Sequence, residues 1–209
     1  SDWRQTNRMV KCDRFLPAPP SLAAEAKKGA NGKYNSDDVI DALKQVFHGK
    51  CYICEMQGLQ DGEVEHLLPH HNGAFPCRKF DWDNLFWSCG NCNKLKNRHG
   101  YRGNIIDCCK DDPEQYLNCI YENGNVLVRV RNTSTQAKMT AQLIYESFNL
   151  ASTGTRINAT TIRKQALRQE MVTFFQQLGE YRKNKTNLAK RKLAARLRTK
   201  TAFAAFKRD

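Results

Sequence analysis

The stretch "VEHLLPHHNG", Val64 to Gly73, is bracketed by two cysteine pairs, "CYIC" at Cys51–Cys54 and "CGNC" at Cys89–Cys92. The pairs stand 34 residues apart. Each C-x-x-C fits on one tight turn, and the two together can supply a tetrahedral four-cysteine zinc site. A redox reading needs a C-x-x-C that opens a helix in a thioredoxin-like βαβ setting, and neither pair has those surroundings. An all-thiolate site is saturated, so the expected ion is structural. It would fasten whatever lies between the knuckles, and that segment holds Glu65 and His66 on a short apolar strand.

The chain has 209 residues, enough to bury one core without disulfides, so nine cysteines want another explanation. There is no apolar N-terminal run preceded by basic residues and no apolar stretch long enough for a membrane span, which points away from the membrane. The expected compartment is the reducing cytoplasm, where paired C-x-x-C spacings read as metal ligands or redox pairs first. Cys12, Cys77, Cys108, Cys109 and Cys119 form no second tetrad and read as small buried hydrophobes. The net charge of +13 is high for an enzyme of small molecules. Residues 182–209 hold eleven Lys or Arg against one acid, so +10 of that charge is C-terminal. Such a cluster, with Arg191, Lys192 and Arg196 at its centre, suits a phosphate backbone. A solvated tail is the alternative.

Four segments follow from patterning. Residues 1–35, with "FLPAPPSL" and "KKGANGK", read as an extended arm. Residues 36–110 form the stapled core. They open with an amphipathic helix over "NSDDVIDALKQVF", with Ser36 as its N-cap and Val39, Ile40, Leu43 and Phe47 on one face. "KCYICEMQG" and "VEHLLP" then read as two strands joined by a loop at Asp61–Gly62. Residues 111–181 bring a hairpin turning at Asn123–Gly124, a helix marked by Leu143, Ile144 and Phe148, and a longer helix from about Arg156 to Tyr181. Residues 182–209 are a basic helix or tail.

The order of a His-bearing strand, then "DNLFWSC", then "CNKLKN" resembles the HNH endonuclease superfamily across Cys51 to about Asn97. The resemblance implies an α+β fold: a zinc-stapled ββα-metal core with an N-terminal arm and a helical C-terminal extension. It also implies His66 as general base, Asn84 as the middle Asn and Asn93 as the final residue, an H-N-N variant. Glu65 stands where the family commonly has Asp. These residue types suit phosphodiester cleavage, because a neutral imidazole can take the proton of water near neutral pH. Asn84 would aim the ring through a hydrogen bond of its backbone carbonyl. A hard divalent ion, Mg2+ or Mn2+, would bind oxygens of Glu65 and Asn93 and stabilise the pentavalent phosphorus and the leaving oxygen. Neighbours on a regular strand point to opposite faces, so Glu65 joins His66 only if the strand twists or ends, as Pro69 allows. His70 and His71 are reserve candidates that could replace a ligand or touch a phosphate, and exposed loop histidines are the expectation for them.

Trp82, Phe86 and Trp87 around Asn84 can stack on bases or pack the small domain, and packing is the expectation. Lys94, Lys96 and Arg98 follow the second knuckle, where a helix beside the cleft can hold phosphates. The wider layout is similar to the HNH subunits of bacterial anti-phage operons, of the Septu type and its retron-associated relatives. It implies a DNA-cutting subunit paired with an ABC-type ATPase, with the C-terminal helices as a docking surface. Two other readings are a zinc-stabilised nucleic-acid-binding module with an inactive HNH-like site, and an interaction subunit active only in complex.

Overall fold

The computed structural model describes residues 11–150, apart from positions 99 and 102, and residues 155–208, with no description of the side chains of 73 and 155–158. The first ten residues of the expected arm lie outside that range. The rest of the arm is not wholly extended: Pro19 and Pro20 start α1 (Pro20–Ala26), with Pro at its first turn where a missing N–H costs nothing. The amphipathic pattern becomes α2 (Asp37–Val46), with acids in its first turn and Val39, Leu43 and Val46 buried. Ser21 ties the two helices by donating its hydroxyl to Asp38 Oδ1 at 2.6 Å. Gly49, at φ +68°, closes α2 and donates its N–H to the Lys44 carbonyl at 2.7 Å.

The segment expected as a first strand, "KCYICEMQG", is a reversing turn instead. Glu55 N–H bonds Cys51 O at 2.8 Å, Cys51 N–H bonds Met56 O at 3.0 Å, and Glu55 takes φ +58°. The reason is the cysteine spacing: an extended strand sends residues three apart to opposite faces, whereas one ion requires both thiols on one side. The strand pairing is therefore β1 (Gly62–His66) with β2 (Leu85–Cys89), antiparallel, in a register that sets His66 opposite Leu85 and Gly62 opposite Cys89. Between them run α3 (Pro76–Lys79) and a 3-10 turn at Trp82–Asn84. The chain passes from β2 straight into α4 (Gly90–Lys96), with Cys89 as N-cap.

A second antiparallel hairpin pairs β3 (Leu117–Glu122) with β4 (Asn125–Val130). Asn123 and Gly124 both have positive φ, +51° and +79°, as a two-residue hairpin turn requires. Then come α5 (Thr135–Asn149) and the long α6 (Thr155–Asn184). The basic C-terminus folds back as α7 (Asn187–Arg196) and α8 (Ala204–Lys207) rather than hanging free. Phe203 and Phe206 are buried against Phe148, Lys207 pairs with Glu170 at 2.7 Å, and Ala205 N–H reaches Glu55 Oε2 at 2.8 Å. One apolar core thus runs from Cys12 to Phe206. No helix among the described residues is long and apolar enough to cross a membrane.

Gly62 sits under the Trp87 indole, where an added Cβ would lie 2.1 Å from the ring. Gly62→Ala should therefore cost about 1–3 kcal/mol through overpacking, read as a lower urea midpoint with an unchanged slope.

Candidate metal centre and active-site cleft

The knuckle turn brings Cys51 and Cys54 to meet Cys89 and Cys92 at the β2–α4 junction. All four sulfurs lie within 4.8 Å of one another and all four side chains are buried. Tetrahedral coordination at about 2.3 Å per Zn–S bond sets sulfurs about 3.8 Å apart, so the donor set fits zinc. Cys92 N–H donates to Cys89 Sγ at 3.5 Å, and Ser88 Oγ lies 3.6 Å from Cys51 Sγ. Among the described residues no other group of three or more Cys, His, Asp or Glu converges in this way. Of the remaining cysteines, Cys12, Cys108 and Cys119 are buried as expected, but Cys77 is exposed on α3 and Cys109 half-exposed.

Against the outer end of β1 lies a cleft of about 330 Å³, lined by Tyr34, Glu65, His66, His70, Asn93 and Asn97 among others. The structure thus brings His66, Glu65 and Asn93 to one cavity. His66 is the last strand residue, and its Nε2 lies 3.0 Å from the Lys79 carbonyl. A carbonyl only accepts, so Nε2 carries the hydrogen and Nδ1 keeps the lone pair. Burial lowers the pKa of this imidazole to about 4, with the Lys79 hydrogen bond opposing, so the ring is neutral. Tyr34 and His70 each set a ring edge-on to it, both with centroids 4.5 Å away.

Asn84 acts differently from the expectation. Its own carbonyl accepts from Leu67 N–H at 2.9 Å rather than from the ring. Its side chain spans the loop, accepting from Leu68 N–H at 2.7 Å and donating to Leu68 O at 2.9 Å and Arg78 O at 2.8 Å. The carbonyl that aims His66 belongs to Lys79, next to the Arg78 that Asn84 holds.

Glu65 is buried, with one carboxylate oxygen on the Tyr52 hydroxyl and the other 2.9 Å from Lys96 Nζ. Burial raises its pKa, and Lys96 pulls it back. Lys96 also donates to His66 O at 2.5 Å and is 1% exposed, so it is an internal ion-pair partner and cannot reach a phosphate, contrary to the expectation for it. Asn93 donates Nδ2–H to Glu63 Oε2 at 2.7 Å, and its Oδ1 accepts from Asn97 at 2.9 Å. Lys94 and Arg98 are exposed on α4 or just beyond it. Arg191 and Lys192 are exposed on α7, whereas Arg196 is partly buried and faces Glu170 at 3.4 Å. Trp82, Phe86 and Trp87 are buried, which leaves packing as their role. Arg14 of the arm covers Trp82 and Phe86, its guanidinium 5.0 and 4.9 Å from their rings.

Sequence reasoning missed Tyr34, Glu63, Lys79 and Arg163. Glu63 had a signal, since it shares strand parity with Glu65. The other three reach the site from distant segments, and Arg163 reaches the thiols themselves, with Nη2 at 3.5 Å from Cys89 Sγ.

Two small antiparallel sheets, a helix closing the first of them and four converging thiols define a mixed α+β fold built around a buried four-cysteine cluster that could hold a metal ion. No protein-family model matches the chain. Over 108 residues it is 27% identical to the Septu protein PtuB of Bacillus thuringiensis, an alignment that covers 50% of this chain. The match spans 41% of that relative's length.

Cys89→Ser should abolish zinc retention, read by atomic absorption of the purified protein, and lower its melting temperature. Lys96→Ala, which leaves the Glu65 carboxylate buried and unpaired, should cost about 3–5 kcal/mol in denaturant melts.

Proposed function

We propose that this chain is the HNH-type nuclease component of a Septu-like anti-phage defence complex, an endonuclease that hydrolyses phosphodiester bonds of DNA with a divalent metal ion. The observation that carries this reading is His66, a neutral imidazole fixed through Nε2 to Lys79 O with its Nδ1 lone pair unspent in a cleft shared with Asn93. Such a ring can accept the proton of an attacking water at Nδ1. Asn84 acts one step removed, by bracing the loop that presents Lys79. Exposed Lys94 and Arg98 lie outside the cleft, beside Asn91 and Glu146, where they can hold DNA backbone that flanks it. The similarity to the Septu protein PtuB supports the defence setting.

A divalent ion would supply charge stabilisation at the phosphate and leaving oxygen. Asn93 fits it, since among the described residues Oδ1 accepts one N–H, from the exposed Asn97. Glu65 does not fit as it stands, because Lys96 already matches its charge. Lys96 must release the carboxylate before Glu65 can serve as a ligand. The ABC-type ATPase partner rests on the resemblance in layout, with α6 and α7 as the surface for it. That Tyr52 and Lys96 already hold both carboxylate oxygens of Glu65 favours the second reading, a zinc-stabilised nucleic-acid-binding subunit with a silent site.

Nicking of supercoiled plasmid with Mg2+ or Mn2+, with and without the ATPase neighbour, separates the two. His66→Ala should lower the rate by about 100-fold or more while leaving the melting temperature near that of the parent. Wild-type protein that binds DNA but never cuts under any of these conditions supports the binding subunit. Because the His66 pKa is lowered to about 4, the base stays unprotonated on mild acidification. The His66-dependent rate should therefore hold between about pH 8 and 5.5 and fall only towards 4; a fall centred near ~6.5 contradicts the buried base.

A further inference from the structure

Arg163, on α6, is 2% exposed and stands more than seventy residues in sequence from Cys92, the nearest of the four clustered cysteines. Its Nη2 donates to Cys89 Sγ at 3.5 Å, and its Nη1 donates to the Ser147 carbonyl of α5. With the Asn91 carboxamide turned so that its oxygen faces the guanidinium, that oxygen accepts from Nη1 at 3.3 Å and Nη2 at 3.2 Å. The Phe148 ring lies 5.8 Å from the guanidinium carbon. Nε has no partner. No carboxylate forms an ion pair with this buried cation among the described residues. A lone buried charge is costly unless an opposite charge faces it. Four thiolates around one divalent ion leave two negative charges in excess, and Arg163 is placed against one of those sulfurs.

We infer that Arg163 is the charge partner of the four-cysteine centre. It is a positioning residue that tightens zinc binding from α6, and through it metal occupancy and the docking of the C-terminal helices sustain each other. The reasoning runs both ways. Without the cation, the excess charge on the sulfurs is buried unmatched and the ion leaves more readily. Without the ion, the guanidinium loses its counter-charge and α6 is held to the core less firmly. The inference rests on the cluster being zinc-loaded, and not on any nuclease activity.

The test is zinc release from the purified full chain to a chromophoric chelator. Arg163→Met, which keeps the length and loses the charge, should release zinc roughly 10–100-fold faster, the scale of losing a group that supports a metal ligand. Arg163→Lys should fall between Met and the parent. Leu167→Ala, on the same helix and fully buried, loosens packing without removing the charge beside the sulfurs and should speed zinc release far less than Arg163→Met does. Parental release from Arg163→Met, or equal acceleration by Leu167→Ala, overturns the inference. If Arg163→Met does not fold, the Co2+-substituted Arg163→Lys protein decides: a shifted sulfur-to-cobalt charge-transfer band supports it and an unchanged band overturns it. Wild-type protein that carries no metal overturns the staple as well, which separates the two failures.

Discussion

The structure depends on four thiolates converging on one point. A chain that must present Cys51 and Cys54 on the same side cannot stay extended between them, so it reverses at Glu55. Cys89 and Cys92 must sit at the end of β2 and in the first turn of α4, which fixes the angle between hairpin and helix. That angle sets Asn93 of α4 beside the end of β1. His66 is the last residue of β1 and Asn93 the first after the second knuckle, and with the cysteine end of the hairpin closed they face one cavity.

The remaining elements brace this unit from both sides. The N-terminal arm supplies Tyr34 to the cleft and Arg14 to the far face of β2, where its guanidinium donates to Leu85 O at 2.5 Å. Lys79 Nζ bonds Ala30 O at 2.8 Å, so the residue that aims His66 is itself held by the arm. The C-terminal helices close over the first knuckle through Glu55, which pairs with Lys50 at 2.9 Å and accepts from Ala205 N–H. The basic composition is thus divided in use. Lys96 and Lys207 are internal ion-pair partners, while Lys94, Arg98, Arg191 and Lys192 stay on the surface.

What was legible in the sequence was local and periodic. The cysteine spacing foretold the cluster, the acids and apolar spacing foretold α2, and Asn123–Gly124 foretold the second hairpin. The first knuckle reads as a strand because its short apolar composition resembles one; only the convergence of its two thiols with Cys89 and Cys92 demands the reversal. The roles of Asn84 and Lys96 could not be read from order alone, since both depend on which carbonyl or carboxylate the folded loop brings near. Tyr34, Lys79 and Arg163 left no signal, because nothing in a local pattern reports a partner that arrives from another segment.

The central claim is that the staple holds the His66 ring in its one tautomer, and histidine 15N NMR tests it most directly. In the zinc-loaded protein, with His66 assigned by loss of its signals in His66→Gln, the account predicts the pattern of a neutral ring protonated at Nε2. It further predicts that this pattern collapses to that of a freely exchanging imidazole when zinc is chelated. A His66 signal unchanged after complete removal of the metal would contradict the account.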